Sequence, residues 1–216
     1  MPPAAAVHLA LIVGWVAAGL SCFISAPQLV RIVRARTTSG VSILSWQLAL
    51  GGNLTWGVYG FTHGNPNQWL PNVGLIVITL VILSLFHRHV GTPWVALLAP
   101  GLVIGATTTT LDHAVGTIAY SIAAFLPAAV SLVSQLKVTA TSVDVRGLSV
   151  GNQWLGLVNQ SAWLVWAVLI GERSVILVGS ASLVLIVANL SMALLRTTGT
   201  LGPVTRQSLR VSLSRA

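Results

Sequence analysis

Asn53, Trp56 and Gly60 recur as Gln160, Trp163 and Ala167 at a constant offset of 107. Positions i, i+3 and i+7 fall on one face of a helix, so an amide, an indole and a small residue are presented together twice. An amide offers two donors and an acceptor, and an indole offers an apolar face with one N–H. Asn72, which follows Pro71 in an otherwise apolar run, adds a third amide. Left unpaired in hydrocarbon it would be costly, so it must face protein or water. Two kinds of chemistry are open to this set. One is hydrogen bonding and stacking on a neutral molecule; the other is helix packing, where amides bond across helices and small residues permit close approach. Enzymatic chemistry lacks its residues. The acids Asp112, Asp144 and Glu172 lie at the ends of apolar runs or between them, and His63, His87, His89 and His113 fall in connections. No Ser-His-Asp order, HExxH, glycine-rich phosphate loop or metal cluster is present, and the single Cys22 has no partner for a disulfide. The sequence therefore predicts a protein without catalytic residues, metal or cofactor.

Composition sets the elements that must carry these residues. The chain is 55% hydrophobic and 6% charged, with a mean hydropathy of +0.87, where soluble domains carry about 25% charged residues. Eleven Lys/Arg and three Asp/Glu could not cover the surface of a soluble fold of 216 residues. This pattern predicts an integral membrane protein. Its net charge of +8 does not point to nucleic acid, because the basic residues stand singly or in short groups between apolar runs. Taking about twenty apolar residues per crossing, seven spans are expected: Ala5–Ile32, Ile43–Phe61, Gln68–Phe86, Trp94–Thr109, Ala114–Leu136, Val150–Ile170 and Ser174–Leu195. They must be helices, since a lone strand would leave its backbone unpaired in lipid. The fourth is the weakest, with Pro100 and Gly101 inside it and "TTTT" at its end. Ten of the eleven Lys/Arg fall in the connections after spans one, three and five or in the C-terminal tail, and only Arg173 falls on the other side. The positive-inside rule then predicts N-terminus out and C-terminus in the cytoplasm.

The offset of 107 extends beyond the stripe, pairing Gly40-Val41-Ser42 with Gly147-Leu148-Ser149, Gly64 with Gly171 and Leu83-Ser84 with Leu190-Ser191. Pro27 pairs with Pro127 at an offset of 100, which predicts seven extra residues in the later connection, with "VTATSVD" as the candidate. The expected organisation is a three-helix repeat over 1–90, a linker helix over 91–112, a second three-helix repeat over 113–196 and a basic tail over 197–216. Three spans reverse the chain, so one linker span restores the direction and makes the repeats parallel. Proline removes a backbone bond and bends a helix. Pro27 and Pro127 are thus candidate hinges, and Gln28 is placed to bond a carbonyl that Pro27 frees.

Pro27-Gln28, Thr38-Ser39-Gly40-Val41-Ser42, Trp56 with Tyr59-Gly60, and Asn72 together resemble the PQ-loop motif and following helices of the SWEET and SemiSWEET sugar transporters. The resemblance covers nearly the whole chain in the seven-span, three-one-three form. It implies passage of a small neutral solute, a mono- or disaccharide, by alternating access. The lack of an ionisable group at membrane depth makes the expected passage facilitative (uniport), and the use of Arg over Lys, ten to one, points to a bacterial plasma membrane. The resemblance supports Asn72 as a solute contact; the repeated stripe and its neighbours add Trp56, Trp163, Asn53, Gln160 and Ser180 as expected contacts, and Pro27, Gln28 and Pro127 are the expected hinge or gate. The implied partners are the sugar and the lipid bilayer, and a homo-oligomer is compatible with the pattern. In the second repeat the dipeptide is Pro127-Ala128, and Gly179, beside Ser180, stands opposite Asn72. Polar recognition is therefore expected to be one-sided. Two other PQ-loop readings are a cystinosin-like amino-acid exporter, which implies intramembrane acids, and a receptor of the KDEL-receptor type, which implies a basic cavity. The orientation can be checked first. A tag after Ala216 should be cytoplasmic and one before Met1 external, and the opposite labelling by a membrane-impermeant reagent would overturn the seven-span reading.

Overall fold

The computed structural model describes residues 4–35, 38, 42–142 and 149–201, excluding the side chains at 4–6, 25–28 and 35. Seven α-helices follow one another: α1 (Ala4–Ala35), α2 (Ile43–Thr62), α3 (Pro66–Val90), α4 (Trp94–Ala114), α5 (Thr117–Thr141), α6 (Val150–Ile170) and α7 (Arg173–Thr197). This is an all-α membrane protein. Five of the helices (α1, α3, α4, α5 and α7) are long and apolar enough to cross a membrane on their own account. The other two, α2 and α6, have 20 and 21 residues, about the 30 Å thickness of a bilayer core. Their apolar character is diluted by the amides, indoles and glycines singled out above.

Local signals set the helix ends twice over. Ser42 and Ser149 are the N-caps of α2 and α6, accepting from the N–H groups of Ser45 and Asn152 and so satisfying donors that a helix start leaves open. Gly64 and Gly171 follow α2 and α6 with φ of 70° and 74°, a left-handed conformation that glycine adopts without a Cβ clash. Beyond them the N–H groups of Asn65 and Glu172 bond back to the carbonyls of Gly60 and Ala167, both at 2.8 Å. All five pairs of residues are separated by 107.

Within each triple the third helix lies in the middle: α3 packs on α1 and α2, and α7 packs on α5 and α6. The triples meet through α1 on α6 and α2 on α5, while α4 lies chiefly against α2 and also touches α5. A core of Ile32, Leu50, Ile82, Leu83, Phe86 and Leu97 ties α1, α2, α3 and α4 together.

Two expectations require correction. The "TTTT" run does not end α4. Thr108 bonds to the carbonyls of Ile104 and Gly105 and to Thr55 Oγ1 on α2, and Thr110 bonds to Ala106 O, so the hydroxyls are satisfied inside a helix that runs on to Ala114. Nor are Pro27 and Pro127 equivalent. α1 ends at Ala35 and α2 starts at Ile43, whereas α5 ends at Thr141 and α6 starts at Val150. The two connections differ by one residue instead of seven, because Val138–Thr141 of "VTATSVD" belongs to α5. The offset of 107 therefore runs through α1 and α5 as well, and Pro127 sits nearly two turns farther from its helix end than Pro27. The side chains of Pro27 and Gln28, and the basic tail beyond 201, lie outside the described residues.

Lipid gives helices no hydrophobic reason to associate, so close packing must hold them together. Between α2 and α4 it is achieved with glycine: a Cβ on Gly51 would stand 2.8 Å from Ile104, one on Gly101 2.8 Å from Leu50, and one on Gly105 2.8 Å from Leu54. Gly101→Ala and Gly105→Ala should each destabilise the protein by about 1–3 kcal/mol through overpacking, read as a lower melting temperature in detergent. Gly74→Ala, which meets nothing within 4 Å, should leave it unchanged or raise it through helix propensity.

Candidate functional site

Where the two triples meet they leave a cavity of about 260 Å³. Its walls obey the internal repeat. α3 contributes Gln68, Pro71, Asn72 and Leu75, and α7 contributes Val175, Val178, Gly179 and Ser182 at the same four positions plus 107. Asn53 and Trp56 from α2 face Gln160 and Trp163 from α6, joined there by Asn159. Ser21 on α1 and Ala128 on α5 complete the ring, again 107 apart, with Ala124 beside them. Each hairpin turn fixes the register of its second helix against its first, so a face that repeats in sequence converges in space.

Five of the six expected contact residues, Asn72, Trp56, Trp163, Asn53 and Gln160, line this cavity together. Ser180 does not. It is exposed on α7, because one residue along a helix rotates the side chain by about 100° away from Gly179. Ser182, three residues beyond Gly179, takes the cavity position and is 5% exposed. Four polar residues were not anticipated: Gln68, Ser21, Asn159 and Ser182. Extending the offset of 107 along α3 and α7, or noting that Gln68 lies one turn before Asn72 on the same face, would have found two of them.

The hydrogen bonds show what these groups have left to offer. Asn72 Nδ2 donates to Gln68 O at 2.7 Å, and Asn53 Nδ2 reaches Thr79 Oγ1 at 3.4 Å. The indole N–H of Trp163 donates to Ser21 Oγ at 3.1 Å, and Ser21 Oγ lies 3.2 Å from Asn159 Oδ1. Trp163 is therefore a positioned wall, not the free donor expected. The carboxamides of Gln68 and Gln160 make no hydrogen bond among the described residues, and Gln68, 4% exposed, has its Oε1 buried and unpartnered. The lining thus presents carboxamides, hydroxyls and ring faces. Among the described residues it contains no Asp, Glu, Lys, Arg or His.

One end of the cavity is closed by bonds between the triples. Tyr59 Oη on α2 donates to Glu172 Oε1 at 2.7 Å, and Ser174 Oγ donates to Tyr59 Oη at 2.9 Å. The Tyr59 ring stacks on Tyr120 of α5 with centroids 4.4 Å apart, and Tyr120 Oη donates to Thr55 O. Trp56 meets both tyrosines edge-on, an arrangement that aromatic quadrupoles favour. On the other flank Trp166 lies so close to Gly14 that any side chain there would strike it and Asn67. Beyond Ser21 and Ala128, toward the ends of α1 and α5, the described residues form no hydrogen bond or ring contact between the triples. Asn189 bonds to Leu132 O of α5 within its own triple, a helix-packing role.

Residues 9–69, spanning α1, α2 and the start of α3, match the family model of the PQ loop repeat. Over 81 residues the chain is 26% identical to the sugar transporter SemiSWEET of Escherichia coli (strain UMEA 3162-1), covering 37% of this chain and 91% of that protein. The placement of the cavity can be tested without a ligand. On a Cys22→Ala background, Asn72→Cys and Gln160→Cys should react with a small polar maleimide. Ser180→Cys, facing away from the cavity into an apolar surround that disfavours the thiolate, should not.

Proposed function

We propose that this chain, whose residues 9–69 are a PQ-loop repeat, carries a small neutral polyhydroxyl solute, a monosaccharide or disaccharide, across the membrane by alternating access. The observation that supports this best is the uncharged cavity lined by carboxamides and indoles at the junction of the two triples. Carboxamides on opposing walls suit vicinal hydroxyls, which both donate and accept, and Trp56 and Trp163 suit the C–H faces of a pyranose ring. A volume of about 260 Å³ lies below the roughly 300–1,000 Å³ of pockets for drug-sized ligands, which favours a monosaccharide. The similarity to SemiSWEET, named a sugar transporter, points the same way. Among the described residues the cavity lining has neither the acids that an amino-acid exporter of this superfamily implies nor the basic groups that a peptide-carboxylate receptor implies.

In this reading Tyr59, Glu172 and Ser174 form the closure on the extracytoplasmic side of the cavity. Opening outward requires the Tyr59–Glu172 bond to part and an equivalent closure to form beyond Ser21 and Ala128. Pro27 lies in the cytoplasmic third of α1, and its missing backbone bond makes it the natural point of bending; Pro127 lies closer to the cavity floor. We place the protein in a bacterial plasma membrane, N-terminus outside, as a uniporter.

Purified protein in liposomes should equilibrate labelled D-glucose faster than sucrose and leave neutral amino acids behind. An imposed pH gradient should drive no accumulation, because the cavity lining among the described residues holds no group that a proton would charge. Uptake of amino acids alone, or protonophore-sensitive accumulation, would replace this reading with the exporter.

A further inference from the structure

The two triples differ by an exchange of small for large at one helix contact beside the cavity. In the first, α2 contributes Gly57 and α3 contributes Asn72, whose Cβ lies 3.3 Å from where a Cβ on Gly57 would stand. In the second, the same two positions hold Leu164 on α6 and Gly179 on α7. The side chain has moved to the other helix and the bare backbone has moved with it. A Cβ built on Gly179 would stand 3.6 Å from Leu164 Cδ1 and 3.2 Å from Gln160 Nε2. The space that an asparagine at 179 would fill is therefore taken, on its cavity side, by the carboxamide of Gln160.

Gln160 is also one methylene longer than its repeat partner Asn53. Asn53 turns its amide toward Thr79 in its own triple. Gln160 instead reaches across the bare turn of α7 and makes no hydrogen bond there, so both of its donors and its acceptor remain for a ligand. We infer that Gln160 supplies from α6 the carboxamide that α7 lacks, and that Gly179 is a specificity-determining position whose missing side chain lets Gln160 reach the solute opposite Asn72. This inference rests on the reading of the cavity as the solute site. It also revises the sequence expectation of one-sided recognition: the site is two-sided, with amides from α3 and α6.

The arrangement makes two otherwise harmful substitutions compensate each other. Gln160→Ala removes the amide. Gly179→Asn drives a second amide into the space that Gln160 occupies. Together they rebuild on α7 the amide that α3 carries. In proteoliposomes taking up labelled D-glucose, each single variant should raise KM about tenfold, the scale of one lost polar partner. The double variant should return to within about threefold of wild type. A milder pair guards against misfolding. Gly179→Ala asks the flexible end of Gln160 to shift by a few tenths of an ångström and should raise KM a few-fold. Adding Gln160→Asn, which shortens the reach, should not worsen it further. Melting temperatures in detergent are measured alongside. If wild type takes up D-glucose but Gln160→Ala is unchanged, or the double variant is as impaired as the product of the singles, the inference is wrong while the carrier reading stands. Losses that track melting temperature instead of KM would return both residues to helix packing and overturn it equally. Wild-type liposomes that exclude D-glucose and every other sugar would overturn both.

Discussion

A carboxamide carried into hydrocarbon must find a protein partner or water, and that requirement organises this structure. Asn53, Asn72, Gln68, Asn159 and Gln160 cannot face lipid, so the helices that bear them turn those faces toward one another. With the amides gathered between the triples, α1, α3, α5 and α7 are free to show lipid the long valine, leucine and isoleucine faces that stand exposed along them. The same requirement explains why α2 and α6, which carry Asn53, Asn159 and Gln160, are the two helices not apolar enough to cross a membrane on their own account. They are lined with site residues and shielded by neighbours, so their insertion depends on the rest of the bundle.

Two small devices hold the amides at the same depth. The left-handed glycines at 64 and 171, with the backbone bonds that close beyond them, reverse the chain within three or two residues and fix where α3 and α7 begin. A slip of one residue at either turn would rotate its helix by about 100° and carry Asn72 or Ser182 off the cavity wall. The glycine contacts between α2 and α4 then fix the depth of α2. Close backbone approach supplies the attraction that the hydrophobic effect cannot supply in lipid.

The closure at the Tyr59 end is built differently from the cavity below it. It contains the only carboxylate among the described residues that bonds across the triples, Glu172, together with stacked rings and short hydroxyl bonds. Directional bonds and flat stacks of this kind hold the two triples in one fixed relation at this end. The cavity walls, by contrast, keep their amides largely unspent.

Much of this was legible in the chain. Seven helices, their ends to within about five residues, and the shared face of Asn53, Trp56 and their repeats followed from apolar span length, periodicity and charge, because backbone satisfaction in lipid leaves helix as the only option and the offset of 107 survives wherever geometry must be duplicated. Three things were not legible. Helix phase decided that Ser182 and not Ser180 reaches the cavity, a matter of 100° per residue that a residue-type match ignores. Helix length decided that Pro127 is not the counterpart of Pro27, since only the observed end of α5 at Thr141 shows that the connection is one residue longer and not seven. Contact across helices decided the partners of each polar group: Trp163 gives its N–H to Ser21, 142 residues away, and Gln160 lies over Gly179. Sequence spacing reports which groups share a helix face, because that is set by the backbone of one helix. Which of them remain free to bind depends on side chains from other helices, and only the packed structure brings those within reach.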